Sequence, residues 1–353
     1  MICEDIRMLY IRTDMNSFIA TGHVMRCLSI AEAAAENGGQ VKFILADEQA
    51  LELIAGRGFR AVALHTKWDD MEGELDALKQ VLQYAQNAVL LVDSYMATPA
   101  YLRKVSGWVK TAYIDDLGAA DAPVHALVCY AGYWKKFCYP QRYPDTQLLL
   151  GTSYVPLGKQ FWSPGKKIIR PQVKNLLLLS GGTDRFGILE RLLNRLCREP
   201  YENITVICGA YYKQYDALCG RFCGHEGIHF HKAVKNMKDY MMQADVAVSA
   251  AGTTLYELCA CGTPTVSYSF ADNQLDNAGY FQEAHLIDYA GDIRDANIFE
   301  QIALLLDACR SRQELRAERS NRMRELVDGQ GAVRIAKQLG DLCSMNEKTD
   351  ENG

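Results

Sequence analysis

The feature that most constrains the fold is a regular alternation of short apolar runs with amphipathic stretches along nearly the whole chain. This alternation predicts strands separated by helices, which is typical of a doubly wound parallel sheet. In the first half, the predicted strands are Arg7–Arg12, Gln40–Leu45, Arg60–Leu64, Ala88–Val92, Thr111–Ile114 and Ala126–Cys129. In the second half, they are Lys174–Ser180, Ile204–Cys208, Ile228–Ala233, Asp245–Ser249, Pro264–Ser269 and Leu286–Tyr289.

A loop-rich stretch, residues 131–174, separates the two series and holds five of the nine prolines. We therefore predict one Rossmann-like domain over 1–165 and a second over 166–330. A chain of 353 residues is long enough for two domains with separate cores. Residues 331–353 are expected to form a terminal helix and a disordered polar tail. Two such domains in tandem would have a cleft between them, with ligands at the carboxyl ends of the strands.

Composition excludes several classes of protein. The net charge of −5 argues against a nucleic-acid partner, which usually requires a basic surface. No apolar stretch approaches membrane-spanning length, and the acidic N-terminus lacks the apolar core of a signal peptide. The twelve cysteines are then expected to be reduced thiols. We expect a cytoplasmic protein without stable membrane insertion, acting as a monomer or weak dimer.

One histidine lies where a predicted strand passes through a loop into a helix. Gly22 and His23 follow the first strand and precede the amphipathic stretch 24–36, so His23 should lie beside free backbone N–H groups. The positive end of a helix dipole disfavours the imidazolium, and a neutral imidazole there can act as a base towards water. Other candidates end strands in this half, where turn or cap chemistry is the alternative: Arg12, Asp14, Asp93 and Tyr95.

Two loops in the second half have features of a phosphate site. In the first, Gly181, Gly182, Thr183 and Asp184 suit close approach of a ligand, or equally a tight turn with Asp184 as helix N-cap. The second, Ala251-Gly252-Thr253-Thr254, opens a helix whose first N–H groups suit a pyrophosphate. A Walker A loop is excluded because the Gly-Lys-Ser/Thr ending is missing.

Three polar side chains near these loops have two interpretations each. The spacing of Glu257 from Thr254 favours a capping box over a ribose ligand. Asn273 and Gln274 follow a predicted strand and could start a helix or bind sugar hydroxyls or phosphate.

A metal site is the less favoured interpretation of one cluster, because its spacing lacks the separated ligand pairs of zinc motifs. The cluster consists of Cys219, Cys223, His225, His229 and His231.

Together, these motifs resemble the family of UDP-sugar hydrolases of pseudaminic acid biosynthesis (PseG) and the related spore-coat polysaccharide proteins (SpsG). The second half also resembles the nucleotide domain of MurG-type GT-B glycosyltransferases. The resemblance covers nearly the full chain in the expected order, although Ala20 replaces a family glycine and Gly158 a family arginine. The matching positions are Arg12, Asp14, Gly22 to Arg26, Asp93 to Tyr95, Asp115, Asp116, Leu149 to Gly151, Tyr154, Gly181 to Asp184, Ala250 to Thr254, Glu257, Asn273 and Gln274.

The resemblance implies a GT-B fold and a metal-independent, cofactor-independent hydrolase in which His23 activates water, with Asp14 and Tyr95 as further catalytic residues. Water would release UDP from a UDP-linked 2,4-diacetamido-2,4,6-trideoxyhexose with inversion. It also implies that Glu257 binds ribose and that Val234 lies near uracil. The implied substrate-binding set is Arg12, Gly22, Asp93, Gly182, Thr183, Asp184, Val234, Ala251, Gly252, Thr253, Thr254, Glu257, Asn273 and Gln274.

Three alternatives stay open. An inverting glycosyltransferase of surface-glycan synthesis would use a sugar acceptor in place of water. A hydrolysing UDP-sugar 2-epimerase fits the motifs less well. A non-catalytic nucleotide-sugar binding protein would keep the second-half loops but would not need His23.

Overall fold

The computed structural model describes residues 8–344 except 17, 20, 84, 86, 120, 182, 183 and 185. The chain forms two compact units, one of residues up to Lys159 together with those from Gln330 onward, the other of Gln160–Gly329. The divisions follow residues 159 and 329, close to the predicted boundaries at 165 and 330. The segment that follows the second unit belongs to the first.

The first unit is built on a seven-stranded parallel sheet with the order β3-β2-β1-β4-β5-β6-β7. Its strands are β1 (Met8–Thr13), β2 (Gln40–Leu45), β3 (Arg60–Ala63), β4 (Ala88–Asp93), β5 (Lys110–Ile114), β6 (Ala126–Cys129) and β7 (Gln147–Leu150). The strands β4 and β6, which both have a neighbour on each side, are buried along their whole length, and this explains why their sequences are continuous apolar runs. The strand β7 was not predicted, because it is only four residues long and lies within the proline-rich stretch.

Five helices of this unit lie among the strands: α1 (Gly22–Glu36), α2 (Leu51–Ala55), α3 (Leu75–Leu82), α4 (Pro99–Ser106) and α5 (Tyr139–Arg142). The apolar face of α1 recurs at helical spacing, and Val24, Cys27 and Ile30 on it are fully buried. Its first residue, Gly22, follows the loop from β1, so the helix begins at the carboxyl edge of the sheet.

The second unit has a six-stranded parallel sheet with the order β10-β9-β8-β11-β12-β13. Its strands are β8 (Asn175–Leu179), β9 (Asn203–Cys208), β10 (Ile228–Lys232), β11 (Val246–Ala250), β12 (Thr265–Ser269) and β13 (Asp288–Asp292). Its helices are α6 (Ile188–Leu196), α7 (Tyr215–Phe222), α8 (Met237–Gln243), α9 (Thr254–Cys261), α10 (Leu275–Glu283), α11 (Ile298–Arg310) and α12 (Gln313–Leu326).

The strand predicted at Leu286–Tyr289 begins two residues later. His285 has a φ of 54° in the left-handed region, and the Leu286 N–H donates to the Phe281 carbonyl at 3.0 Å. These residues therefore close the C-terminus of α10 instead of starting β13.

The last helix, α13 (Gly331–Ser344), packs against α1 and β4 of the first unit. A side chain at Gly331 would overlap the backbone of Tyr154 and Val155, so this crossing of two chain segments requires glycine. The Arg334 guanidinium donates to the Ser153 carbonyl at 3.0 Å beside it.

Both sheets place their topological switch point at the first strand of the unit, β1 beside β4 and β8 beside β11. Ligands of open parallel sheets bind outside the carboxyl ends of the strands at such points. The loops singled out from the sequence follow these strands, His23 after β1 and the glycine–threonine loop after β11.

Candidate functional site

A histidine–carboxylate pair lies at the switch point of the first sheet. The strands β1 and β4 pair in register with Thr13 opposite Asp93, so the start of α1 lies beside the end of β4. There, His23 Nδ1 is 2.7 Å from Asp93 Oδ1. The His23 side chain is 7 % exposed and that of Asp93 fully buried. Asp93, predicted as a substrate ligand, therefore contacts the histidine directly.

The guanidinium of Arg26 holds the same carboxylate from the other side. Arg26 lies one helical turn after His23, and its Nε and Nη2 donate to the two Asp93 oxygens at 2.6 and 2.5 Å. Its Nη1 lies 3.0 Å from Asp116 Oδ2 and 2.6 Å from the Tyr130 hydroxyl. Arg26 is part of a motif in the sequence but was not among the predicted site residues, although its i+3 spacing from His23 places both side chains on one face of α1.

The hydrogen bonds assign a tautomer to His23. Its Nδ1 lies near both the Asp93 carboxylate and Arg26 Nη2, at 2.7 and 3.0 Å, and one ring nitrogen cannot accept from Arg26 while donating to Asp93. The shorter distance and the acceptor-only carboxylate assign Nδ1–H, which leaves the lone pair on Nε2. No described residue hydrogen-bonds to Nε2. The ring is therefore oriented as a general base, with the carboxylate able to stabilise the imidazolium.

The protonation states around this ring follow from charge and burial. Burial would raise the pKa of Asp93, but the positive charge of Arg26 and the bond to His23 hold that pKa well below its usual range. The Tyr95 ring meets the His23 ring edge-on, with centroids 4.5 Å apart. Burial and the Asp116 carboxylate raise the pKa of Tyr95, so it remains a neutral phenol near neutral pH.

Arg12 and Asp14 form a separate cluster. The fully buried Arg12 guanidinium is 2.5 Å from Asp14 and 2.5 Å from Glu74, and Asp14 also accepts the Ala46 N–H at 2.7 Å. Tyr101 donates to Glu74 at 2.8 Å. Among the described contacts, neither predicted residue touches His23. These contacts give both residues a structural role at the end of β1, and their roles in substrate binding and catalysis stay predictions.

In the second unit, the loop between β11 and α9 presents free backbone donors. Ala251 is fully buried, and its N–H donates to the Tyr268 carbonyl at 2.8 Å, which continues the sheet. No described backbone acceptor receives the N–H groups of Gly252, Thr253 or Thr254. The hydroxyl of Thr253 also makes no capping bond. The start of α9 can therefore bind an anion.

Glu257, in the first turn of α9, forms no capping box. The α9 N-terminus carries no side-chain cap, and the half-buried Glu257 carboxylate makes no hydrogen bond or ion pair with any described residue. Burial raises the pKa of Glu257 to about 7. An unpaired carboxylate in such a place can accept hydrogen bonds from the hydroxyls of a ligand.

The remaining predicted residues differ in their surroundings. Asp184 caps α6, because its carboxylate accepts the N–H groups of Ile188 and Leu189 at 2.8 and 3.0 Å. Gly182 and Thr183 lie outside the described residues. The Gln274 amide lies next to Gly252, with its Nε2 3.8 Å from where a Cβ on that glycine would be.

Two further predicted residues occupy loops of the second unit. Asn273 is exposed in a single 3-10 turn before α10. Val234 is half-buried in the loop between β10 and α8, after Ala233 with its left-handed φ of 52°.

The histidines of the cysteine–histidine cluster contact other side chains of the second unit. His229 lies 3.1 Å from the Asn203 side chain, and the His231 ring lies against Tyr240 with centroids 4.9 Å apart. Across residues 8–344, gaps excepted, no group of three or more His, Cys, Asp or Glu side chains could hold a metal ion. In the same residues, no helix has the length and apolar character needed to cross a membrane.

Comparison with known proteins shows that the second half of the chain is similar to a glycosyltransferase domain. Residues 176–339 match the family described as glycosyltransferase family 28 C-terminal domain. An uncharacterised Methanocaldococcus jannaschii protein is 24% identical over 270 residues, 72% of this chain and 54% of that protein. The Bacillus subtilis spore coat polysaccharide biosynthesis protein SpsG is 25% identical over 205 residues, 56% of this chain and 59% of that protein.

A third relative carries a named transferase activity. It is the Campylobacter fetus UDP-N-acetylglucosamine–N-acetylmuramyl-(pentapeptide) pyrophosphoryl-undecaprenol N-acetylglucosamine transferase. It is 28% identical over 227 residues, 62% of this chain and 61% of that protein. The chain thus spans between 54% and 61% of the length of these three curated relatives.

Solved structures support the fold of the whole chain. MurG of Acinetobacter baumannii superposes with a TM-score of 0.66 at 12% identity, covering 95% of this chain and 99% of that one. The kitacinnamycin glycosyltransferase gives a TM-score of 0.69 at 16% identity, covering 96% and 99%. The chain therefore has a GT-B-type fold of two Rossmann-like units, and its second half matches the C-terminal domain of glycosyltransferase family 28.

Proposed function

We propose that this protein is an enzyme that displaces UDP from a UDP-linked sugar with inversion, using His23 as the general base and an acceptor hydroxyl as the nucleophile. The observation that carries the proposal is the 2.7 Å bond from His23 Nδ1 to Asp93, which leaves Nε2 as the proton acceptor. The match of residues 176–339 to a glycosyltransferase domain supports the nucleotide-sugar part.

In the proposed reaction, His23 Nε2 takes the proton of the acceptor hydroxyl as its oxygen attacks the anomeric carbon. A bond forms between that oxygen and the anomeric carbon, and the bond from the carbon to the diphosphate oxygen breaks. The electron pair leaves with UDP, and attack opposite the leaving group inverts the configuration. The proton stays on the imidazolium, which the Asp93 carboxylate stabilises.

The second unit supplies the proposed UDP site. The free N–H groups of Gly252, Thr253 and Thr254 would hold the diphosphate and stabilise its charge as it leaves. The Glu257 carboxylate would accept the ribose hydroxyls, and Val234 would pack on the uracil. Gln274, beside Gly252, would contribute an amide to the phosphates, with Asn273 next to it.

A hydrolase is the second candidate, with water as the acceptor and a UDP-linked 2,4-diacetamido-2,4,6-trideoxyhexose as the substrate. The observation that favours it is the clustering around His23 of Arg26, Asp93, Tyr95 and Asp116. These side chains belong to the sequence motifs that resemble those of PseG-type hydrolases.

The decisive experiment measures UDP release from this diacetamido UDP-sugar and from UDP-N-acetylglucosamine, each with and without a panel of sugar acceptors. We expect His23→Asn to lower kcat by about 100- to 10,000-fold while UDP affinity, measured by calorimetry, is retained. His225→Asn is the matched control, because His225 is exposed between α7 and β10. We expect this variant to have the same kcat as wild type.

The outcomes separate the candidates. If UDP is released only when a sugar acceptor is present, the result supports a transferase. If UDP is released without any acceptor, it supports a hydrolase. Turnover by His23→Asn equal to wild type would overturn both. Tight UDP binding with no turnover of any substrate would indicate a nucleotide-sugar binding protein.

A further inference from the structure

The ionised groups next to His23 form a chain of alternating charge. Asp93 contacts the ring, Arg26 bridges the two carboxylates, and Asp116 lies on the far side of Arg26. Asp116 Oδ2 accepts from Arg26 Nη1 at 3.0 Å, from Tyr130 at 2.9 Å and from Tyr95 at 3.4 Å. The Asp116 Oδ1 atom is buried without a partner among the described residues, so its charge is only partly offset.

The other titratable side chains considered around His23 are either uncharged or paired with an opposite charge. Burial raises the pKa values of Cys27, Tyr95 and Tyr130, which keeps all three neutral. Asp14, on the loop after β1, is already bound by Arg12 and Ala46. The charge near His23 is therefore set by Asp93, Arg26 and Asp116.

Arg26 has two opposing effects on a base at His23. It orients and ionises Asp93, which the base needs, but its own positive charge lies 3.0 Å from the ring nitrogen and disfavours imidazolium. With both carboxylates ionised, the cluster has a net charge of zero when His23 is protonated. Without Asp116, the same step would leave a net positive charge in a largely buried site.

We propose that Arg26 and Asp116 are positioning residues that tune His23 in opposite directions: Arg26 fixes Asp93, and Asp116 offsets the charge of Arg26 so that His23 can accept a proton. This inference rests on the proposed role of His23 as the base.

The test is an NMR titration of the histidine rings in the full chain, with the His23 signals identified by their loss in His23→Asn. We expect Asp116→Asn to move the titration midpoint of His23 to lower pH by about one unit, and Arg26→Gln to move it to higher pH by a similar amount. Arg26→Lys keeps the charge but loses the two-point contact with Asp93. It should titrate close to wild type and still lose about tenfold or more in kcat.

Exposed charges of the same unit provide the controls. Arg57→Gln removes an exposed guanidinium paired with the half-buried Glu32, and Asp121→Asn changes an exposed carboxylate. Neither substitution should move the titration midpoint of His23. Circular dichroism verifies that each variant is folded, and the nearly isosteric Asp116→Asn tests the proposal even if Arg26→Gln does not fold.

Shifts in opposite directions would establish the tuning role, because a merely structural role would move both midpoints the same way or neither. An unchanged titration midpoint of His23 in Asp116→Asn would overturn this proposal. The titration needs no substrate, so its result stands apart from the proposed function. If the His23 midpoint shifts in opposite directions in the two variants but no substrate is turned over, only the proposed reaction is refuted. If turnover depends on His23 but its midpoint does not move in either variant, only the proposed role of Arg26 and Asp116 is refuted.

Discussion

Asn277 on α10 reaches the loop between β11 and α9, where its Nδ2 is 3.0 Å from the Ala251 carbonyl oxygen and 3.2 Å from that of Gly252. The Tyr256 hydroxyl in turn donates to Asn277 Oδ1 at 2.8 Å. In a trans peptide, the N–H points opposite to the carbonyl of the same peptide group. By holding these two carbonyls, Asn277 therefore fixes the direction of the Gly252 and Thr253 N–H groups.

Replacing Asn277 with alanine should weaken UDP binding without removing any group that touches the nucleotide. The Ala251 carbonyl loses the Asn277 donor, and the Gly252 carbonyl keeps the Leu255 N–H at 3.1 Å. We therefore expect the free energy of unfolding to fall by about 1–3 kcal/mol and UDP affinity to fall as well. Calorimetry and urea denaturation measure the two effects. The exposed Asn194 provides the control substitution Asn194→Ala. Unchanged UDP affinity in a destabilised Asn277→Ala protein would count against the anion-binding role of this loop.

Glu257→Gln should change stability in a pH-dependent way. Burial raises the pKa of Glu257 to about 7, above its value in the unfolded chain, so the folded protein binds this proton more tightly. The resulting stabilisation is complete below the unfolded pKa and is lost as the pH rises through about 7. Relative to wild type, Tm should therefore rise in the variant at about pH 8 and change little at about pH 5.

The same substitution also tests the ribose role. In wild type, the difference in affinity between UDP and 2′-deoxy-UDP should widen as the Glu257 carboxylate ionises, and Glu257→Gln should remove this widening. Both nucleotides carry the same diphosphate, so protonation of the diphosphate affects both affinities equally and does not change the difference between them. The exposed Glu283→Gln is the control. An equal difference at all pH values in wild type would argue against a ribose contact.

Glu74→Gln should destabilise the first unit strongly. Arg12 and Glu74 are both fully buried and paired at 2.5 Å, and the substitution removes the charged acceptor of both Arg12 and Tyr101, leaving Asp14 as the carboxylate that still pairs with Arg12. We expect a loss of about 1–3 kcal/mol in urea denaturation, because charge-assisted hydrogen bonds in a buried cluster are weakened. The control Glu72→Gln alters an exposed carboxyl two residues away and should cost little. If Glu74→Gln instead has normal stability and a raised KM, the result would indicate that Arg12 contributes to substrate binding.

Lys167→Met should destabilise the second unit. The buried Lys167 Nζ donates to the carbonyls of Met241, Met242 and Ala244 at 2.7, 3.0 and 2.6 Å, where α8 ends. The variant removes the donor shared by these carbonyls, of which that of Met241 still accepts from the Thr263 hydroxyl at 2.7 Å. We therefore expect the free energy of unfolding to fall by about 1–3 kcal/mol in thermal denaturation. The neighbouring Lys166 is exposed, which makes Lys166→Met a closely matched control. Equal melting temperatures for the two variants would contradict this capping role.

Much of the fold was predictable because buried parallel strands are continuous apolar runs. The strands β2 and β6 begin and end at the predicted residues. The helix α7 (Tyr215–Phe222) was not predicted, and only Leu218 and Phe222 on it are buried, so its apolar pattern is weak. Local sequence also could not place the start of β13, which depends on how α10 ends.

The candidate site was predictable only in part. His23 was identified because it follows a strand and begins a helix, which are local properties. The links to Asp116 and Tyr130 depend on which strands are neighbours, since these residues follow β5 and β6. Arg12 illustrates the converse, because its burial depends on Glu74, 62 residues further along the chain.

The packing of α13 on α1 has a consequence for synthesis on the ribosome. The first unit is interrupted by the second, since its sheet lies before residue 160 and its closing helix after residue 329. Domains emerging from the ribosome usually complete folding in the order in which they are made. Here that order is reversed: residues 160–329 can finish folding before the first unit, which contains His23, has gained its last helix, α13.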